Sequence, residues 1–151
     1  MKLAEALLER ADLLTKINAL ESRLMNNSKV QEGLKPNEEP SKLLNELDEK
    51  IERLNFLIVQ INKTNENTYT KDGKTLSSLL SLRDSKTIKL RILGNFIQSG
   101  SMLVNRNTHT EIKILSTFNI SDMQKKIDDL SKEIRQIDTK IQELNWTTEL
   151  L

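Results

Sequence analysis

Met123, Ile127, Leu130, Ile134, Ile137, Ile141 and Leu144 recur four and three residues apart without a miss, and this run limits the fold more sharply than anything else in the chain. Such spacing is one stripe along an α-helix. A strand, whose side chains alternate every second position, cannot produce it. Leu44, Leu47, Ile51, Leu54, Ile58 and Ile61 repeat the pattern. Two seams of this kind predict long helices with coiled-coil-like packing.

The remaining boundaries follow from local chemistry. Leu3, Leu7, Leu14, Ile17 and Leu24 form a further seam that Leu13 and Leu20 widen, until Gly33, Pro36 and Pro40 bar helix. Asp72-Gly73 signals a turn, Thr75 is placed to cap a third helix, and Gly100 ends it. Ser121 followed by Gln124 reads as a capping box for the last helix, with Asp122 suited to its positive end. Helices are thus expected over about 2–25, 41–65, 75–99 and 121–144, in a single helical domain covering 1–151. Few prolines and glycines and many helix formers agree with a mainly α chain.

One stretch departs from this periodicity. In TEIKILSTFNI, Ile112, Ile114, Phe118 and Ile120 alternate with Lys113, Thr117 and Asn119, which is a strand signal. A lone strand needs a partner, and SKVQEG is the best candidate. The expectation is a small two-stranded β ribbon of 28–33 with 111–117, at one end of four antiparallel helices.

No cysteine is present, so disulfides, thiolate metal sites and cysteine nucleophiles are excluded. Glu5, Glu9 and Asp12 interrupt the opening MKLAEALLERADLL too early for the apolar core of a secretion signal. No window approaches the roughly 20 apolar residues of a membrane span. A cytoplasmic location without membrane contact is therefore expected.

Several segments carry a likeness to a known family: MKLAEALLERADL, NNSKVQEG, INKTN followed by DGKTL, TEIKIL and IQELNWTTELL. In these the whole chain resembles a bacterial family often called septicolysin-like and otherwise known as a domain of unknown function. The label evokes a cytolytic toxin. No activity or catalytic residue comes with the resemblance.

Some residues break their own pattern. The first seam, continued through every position, places Arg10 and Glu21 among leucines, and Arg83 projects from a face made by Leu76, Leu79, Leu80, Leu90 and Ile97. Such arginines pair with carboxylates and fix register, or they line a polar pocket for an anionic ligand. Glu5, Glu9 and Asp12 lie opposite the seam, and no Glu-x-x-His pair exists to build a carboxylate metal site, so no metal or cofactor is expected. His109, the sole histidine, sits in a polar loop beside Glu111 and reads as a surface residue. Residues 67–110 hold seven bases against two acids, yet Lys86, Lys89 and Arg91 scatter around their helix without an aromatic platform. Nucleic acid is not expected as a partner on that count. Trp146, Leu150 and Leu151 follow the last seam out of line and form a candidate clasp onto a neighbouring helix pair or subunit.

These observations rank three functions. First comes a non-enzymatic, self-associating helical interaction or scaffold protein, a homo-oligomer contacting an unidentified partner. Second is a small-ligand binder or enzyme using Arg10, Glu21 and Arg83. Third is a weak nucleic-acid accessory protein.

Overall fold

The computed structural model describes residues 1–102 and 112–151. Among the described residues there are four helices: α1 (Leu3–Asn26), α2 (Pro40–Asn67), α3 (Leu76–Ser101) and α4 (Ile120–Thr147). The chain falls into two compact units, one of Met1–Leu76 with Glu143–Leu151 and one of Ser77–Gln142.

In the first unit α1 and α2 form an antiparallel hairpin. Its direction is fixed by two crossings, Arg53 to Glu9 near one end and Arg23 to Glu46 near the other. The buried line on α1 runs through Leu3, Ala6, Leu13 and Leu20, with half-buried Arg10, Ile17 and Leu24 between them and the Asn27 amide closing it. Its counterpart on α2 runs through Leu43, Leu57, Ile61 and Thr64, with half-buried Leu47, Lys50 and Leu54 between. Both lines keep the 3–4 alternation that lets two helices interlock. They lie beside the stripes expected from the leucines: Leu14 and Glu21 are exposed, and so are Leu44, Ile51 and Ile58.

The loop between α1 and α2 is tied down by side chains. Asn27 donates from Nδ2 to the Arg23 carbonyl at 2.9 Å and accepts at Oδ1 from the Glu38 amide at 2.9 Å. Burying that amide is tolerable because both of its ends are satisfied.

The expected ribbon is absent: among the described residues there is no strand, only isolated bridges between Lys2 and Glu149 and between Tyr69 and Thr75. Residues 28–33 instead close a turn in which the Leu34 amide donates to the Gln31 carbonyl at 3.0 Å, with Gly33 at φ 85°. That left-handed value breaks an extended run and suits glycine. Residues 112–116 are irregular, and Ile114 and Leu115 are exposed side by side, so burial does not follow the alternation. Residue 111 of the expected strand lies outside the described residues.

The Lys2–Glu149 bridge belongs to a closure of the first unit. The Leu3 amide donates to the Thr148 carbonyl at 3.0 Å, and the Leu150 amide donates to the Met1 carbonyl at 2.9 Å. Glu149 accepts from Lys2 Nζ at 2.6 Å and from the Met1 ammonium at 3.2 Å. The Leu151 amide then reaches the buried Thr64 hydroxyl at 3.0 Å. The α1 start is capped in turn, because the Lys2 amide donates to Glu5 Oε2 at 2.7 Å.

In the second unit α3 and α4 are also antiparallel, with Arg83 facing Asp138 and Lys86 facing Glu133. The α4 line through Met123, Ile127, Leu130, Ile134, Ile137 and Ile141 turns inward along its length, as its spacing predicts. Its start differs from the expected one: the helix begins at Ile120, and Asn119 Oδ1 accepts the Asp122 amide at 3.0 Å. Gln124 meanwhile donates forward to Asp128 at 2.9 Å, so Ser121 and Gln124 form no capping box. Asn is at least as good an N-cap as Ser, and here it stands at the position that reaches the orphan amide. Helix α3 runs through Gly100 to Ser101, and Phe118 lies against Gly100 while stacking on Phe96 at 4.2 Å between ring centroids.

Candidate functional site: the two flanks of the α1–α2 hairpin

The two flanks of this hairpin differ in chemistry. One is ionic. Arg53 donates from Nε and Nη2 to the two carboxylate oxygens of Glu9 at 2.7 and 2.9 Å, and its guanidinium lies 5.3 Å from the Phe56 ring centroid. Arg23 grips Glu38 from Nε and Nη2 and reaches Glu46 at 3.4 Å. Hydrogen bonding to these arginines lowers the pKa of Glu9 and of Glu38 below the ordinary carboxylate value.

The other flank is apolar. At about 100° per residue, Leu7 and Leu14 stand roughly 80° to one side of the buried α1 line, with Met25 further round on that side. Leu44, Ile51 and Ile58 stand roughly 80° to one side of the α2 line. In an antiparallel pair these two offsets fall on the same flank, opposite Glu9, Arg23, Glu46 and Arg53. A shared hollow lined by Leu24, Met25, Pro40 and Leu44 at the loop end places them together. Leu14, Met25, Leu44, Ile51 and Ile58 are between 39% and 69% exposed. Side chains so exposed leave on the order of 400 Å² of apolar surface in one strip, the size at which patches on soluble proteins mark interaction sites.

The residues singled out in the sequence are distributed as follows. Arg10 is half-buried in the α1 line. Glu21 is exposed on the apolar flank, about 16 Å further along the same helix, so the two do not line one pocket. Arg83 is half-buried in the second unit, where Asp84 Oδ1 accepts from Nε and Nη2 at 3.0 and 2.9 Å and Asp138 accepts from Nη1 at 3.5 Å. Those carboxylates, Asp84 first, outweigh its desolvation and raise its pKa. In the closing segment Trp146 is 57% exposed and Leu151 is exposed, while Leu150 is half-buried. The segment is held chiefly by its backbone and by Glu149, a residue that periodicity gives no reason to select.

Among the described residues, no group of three His, Cys, Asp or Glu side chains stands close enough to hold a metal ion. His109 and Glu111 lie outside the described residues. No helix among those described is long and apolar enough to cross a membrane.

Known proteins agree with this chain in fold and are silent on activity. The family described as "Family of unknown function (DUF6847)" matches residues 10–150. A crystal structure of a functionally unknown conserved protein from Corynebacterium diphtheriae is 38% identical, with a TM-score of 0.92 over 100% of this chain and 99% of that one. No functionally curated protein matches.

Proposed function

This chain belongs to the family of unknown function DUF6847, and we propose that it acts as a non-enzymatic, cytoplasmic interaction protein that self-associates through its helices. The apolar flank of α1 and α2 carries this reading. Leu14, Leu44, Ile51 and Ile58 keep helical spacing and remain half exposed in the single chain. A two-helix hairpin buries one stripe per helix, and a helix with a second apolar stripe is built for a further layer. The second unit supports the same reading: among its described residues, Leu79, Leu130 and Ile141 alone are buried, and the other α3 and α4 seam positions stay half exposed.

The small-ligand alternative has less to support it, because the Arg83 donors are occupied by carboxylates and Glu21 stands apart from Arg10. Toxin activity rests on the septicolysin-like resemblance alone and is no part of the proposal.

Sedimentation velocity at micromolar concentrations tests it. The expected result is a species heavier than the 17.4 kDa of one chain, weakened by Ile51→Asp. A single chain at every concentration overturns the proposal.

A further inference from the structure

The second unit carries an apolar ridge that the first unit's flank is suited to receive. On α3, Ile88 and Ile92 lie one turn apart and are each about half exposed. At about 100° per residue both stand more than about 120° from the line that meets α4. Lys89 and Arg91 sit roughly 80° to either side of this ridge, level with the space between Ile88 and Ile92. The ridge is therefore greasy along its crest and basic on both shoulders.

The apolar flank of α1 and α2 is the reverse. Its trough lies between Leu14 and Met25 on one helix and Leu44 and Ile51 on the other. Glu21 stands in line with Leu14 two turns further along α1, and Asp48 stands at the outer edge of the Leu44–Ile51 stripe on α2. The Arg23–Glu46 crossing, the nearer of the two that align the hairpin, brings Glu21 and Asp48 to similar heights. Both acids are exposed, and neither enters an ion pair among the described residues. Arg91 is likewise exposed and outside every ion pair described, and Lys89 acts only through the field it adds at Glu133.

We propose that the α3 ridge of one copy docks in the α1–α2 trough of a second copy, with Lys89 and Arg91 straddled by Glu21 and Asp48. The proposal rests on the self-association reading above and names its surfaces. Two different patches meet, so the contact is heterologous and each copy offers one of each kind. A trough meeting its own copy across a two-fold axis sets Glu21 and Asp48 against the same acids. Like charges juxtaposed at an interface oppose it, whereas the ridge supplies opposite ones. A third helix laid between two antiparallel helices also fills the groove between their side chains, which a second groove cannot do.

Charge exchange tests this without touching a buried residue. One variant carries Lys89→Glu with Arg91→Glu, and the other carries Glu21→Lys with Asp48→Lys. Each alone is expected to self-associate at least tenfold more weakly than the native chain in sedimentation velocity, with unchanged helical circular dichroism. Mixed one to one, they are expected to regain native affinity, since each acidic ridge then meets a basic trough and the reverse. Native association by the Lys89→Glu, Arg91→Glu variant overturns the ridge-to-trough contact and leaves self-association standing. Failure of the mixture to recover also overturns it. A native chain that never associates removes both this contact and the reading beneath it.

Discussion

Leu57 and Ile58 are neighbours in sequence and opposites in environment: Leu57 is fully enclosed against α1, and Ile58 is 39% exposed on the apolar flank. Truncating the first leaves a cavity in the hairpin, so Leu57→Ala is expected to lower stability by about 2–5 kcal/mol. Ile58→Ala should cost less than about 1 kcal/mol in the dilute single chain, and should weaken association instead. Urea unfolding at low and high protein concentration separates the two effects.

Gly94 and Gly100 make a second contrasting pair within α3. An ideal Cβ at Gly94 meets no atom within 4 Å, whereas one at Gly100 runs into the Phe118 ring. Gly94→Ala should therefore stabilise by up to about 1 kcal/mol, the ordinary helix preference for alanine. Gly100→Ala forces the Phe96–Phe118 stack to move and should cost about 1–3 kcal/mol. Thermal melts of the two variants, shifted in opposite directions, check both.

The Thr64 hydroxyl accepts the Leu151 amide at 3.0 Å and donates to the Gln60 carbonyl at 2.8 Å. Thr64→Val keeps the shape and leaves the Leu151 N–H without that acceptor, at an expected cost of about 1 kcal/mol. Removing residues 148–151 should also destabilise the first unit, because the Leu3 amide and the Met1 carbonyl lose their partners. In that truncated chain Thr64→Val should cost less than in the full one. Equal costs in a double-mutant cycle would show the contact to carry no energy.

The Glu9–Arg53 pair gives the hairpin a pH dependence of known sign. Arg53 holds the Glu9 pKa below its ordinary 4.5. The pair therefore contributes fully above about that value and fades as pH falls through the lowered one. Both side chains are partly in water, so Arg53→Met should cost about 0.5 kcal/mol near pH 7. That difference should vanish toward pH 2. Urea midpoints of both proteins across pH 2–7 measure it.

Much of this architecture is legible in the sequence because long helical periods are hard to mistake, and α4 is nearly unambiguous. The α4 line has one apolar stripe and polar residues elsewhere, so its inward face is forced. Helix α1 is harder, because leucines at 7 and 14 lie beside those at 13 and 20, and two adjoining stripes fit equally well. The stripe that turns inward is the one running through Leu3, Ala6, Leu13 and Leu20. Arg10 falls on that stripe and Glu21 falls outside it. On α2 the expected seam is shared, Leu47, Leu54 and Ile61 turning inward and Leu44, Ile51 and Ile58 turning out. A periodic pattern tells that both stripes are apolar, and it cannot tell which partner covers each.

Short alternations are weaker evidence than long periods. Residues 112–117 alternate over too few positions to commit the backbone, and 28–33 contains a glycine whose conformation ends any extended run. The Lys2–Glu149 bridge is invisible to pattern reading for another reason: it joins charged residues far apart in the sequence, which no local rule couples.

The contrast between the hairpin's flanks bears on how it answers to its solution. Sodium chloride screens Glu9 from Arg53 and Arg23 from Glu46, so it loosens the wet side. Ammonium sulfate is excluded from greasy surface and tightens whatever encloses Leu14 and Ile51. Compared at equal ionic strength, sulfate should therefore favour assembly over chloride, because only the excluded anion strengthens the burial of the greasy side.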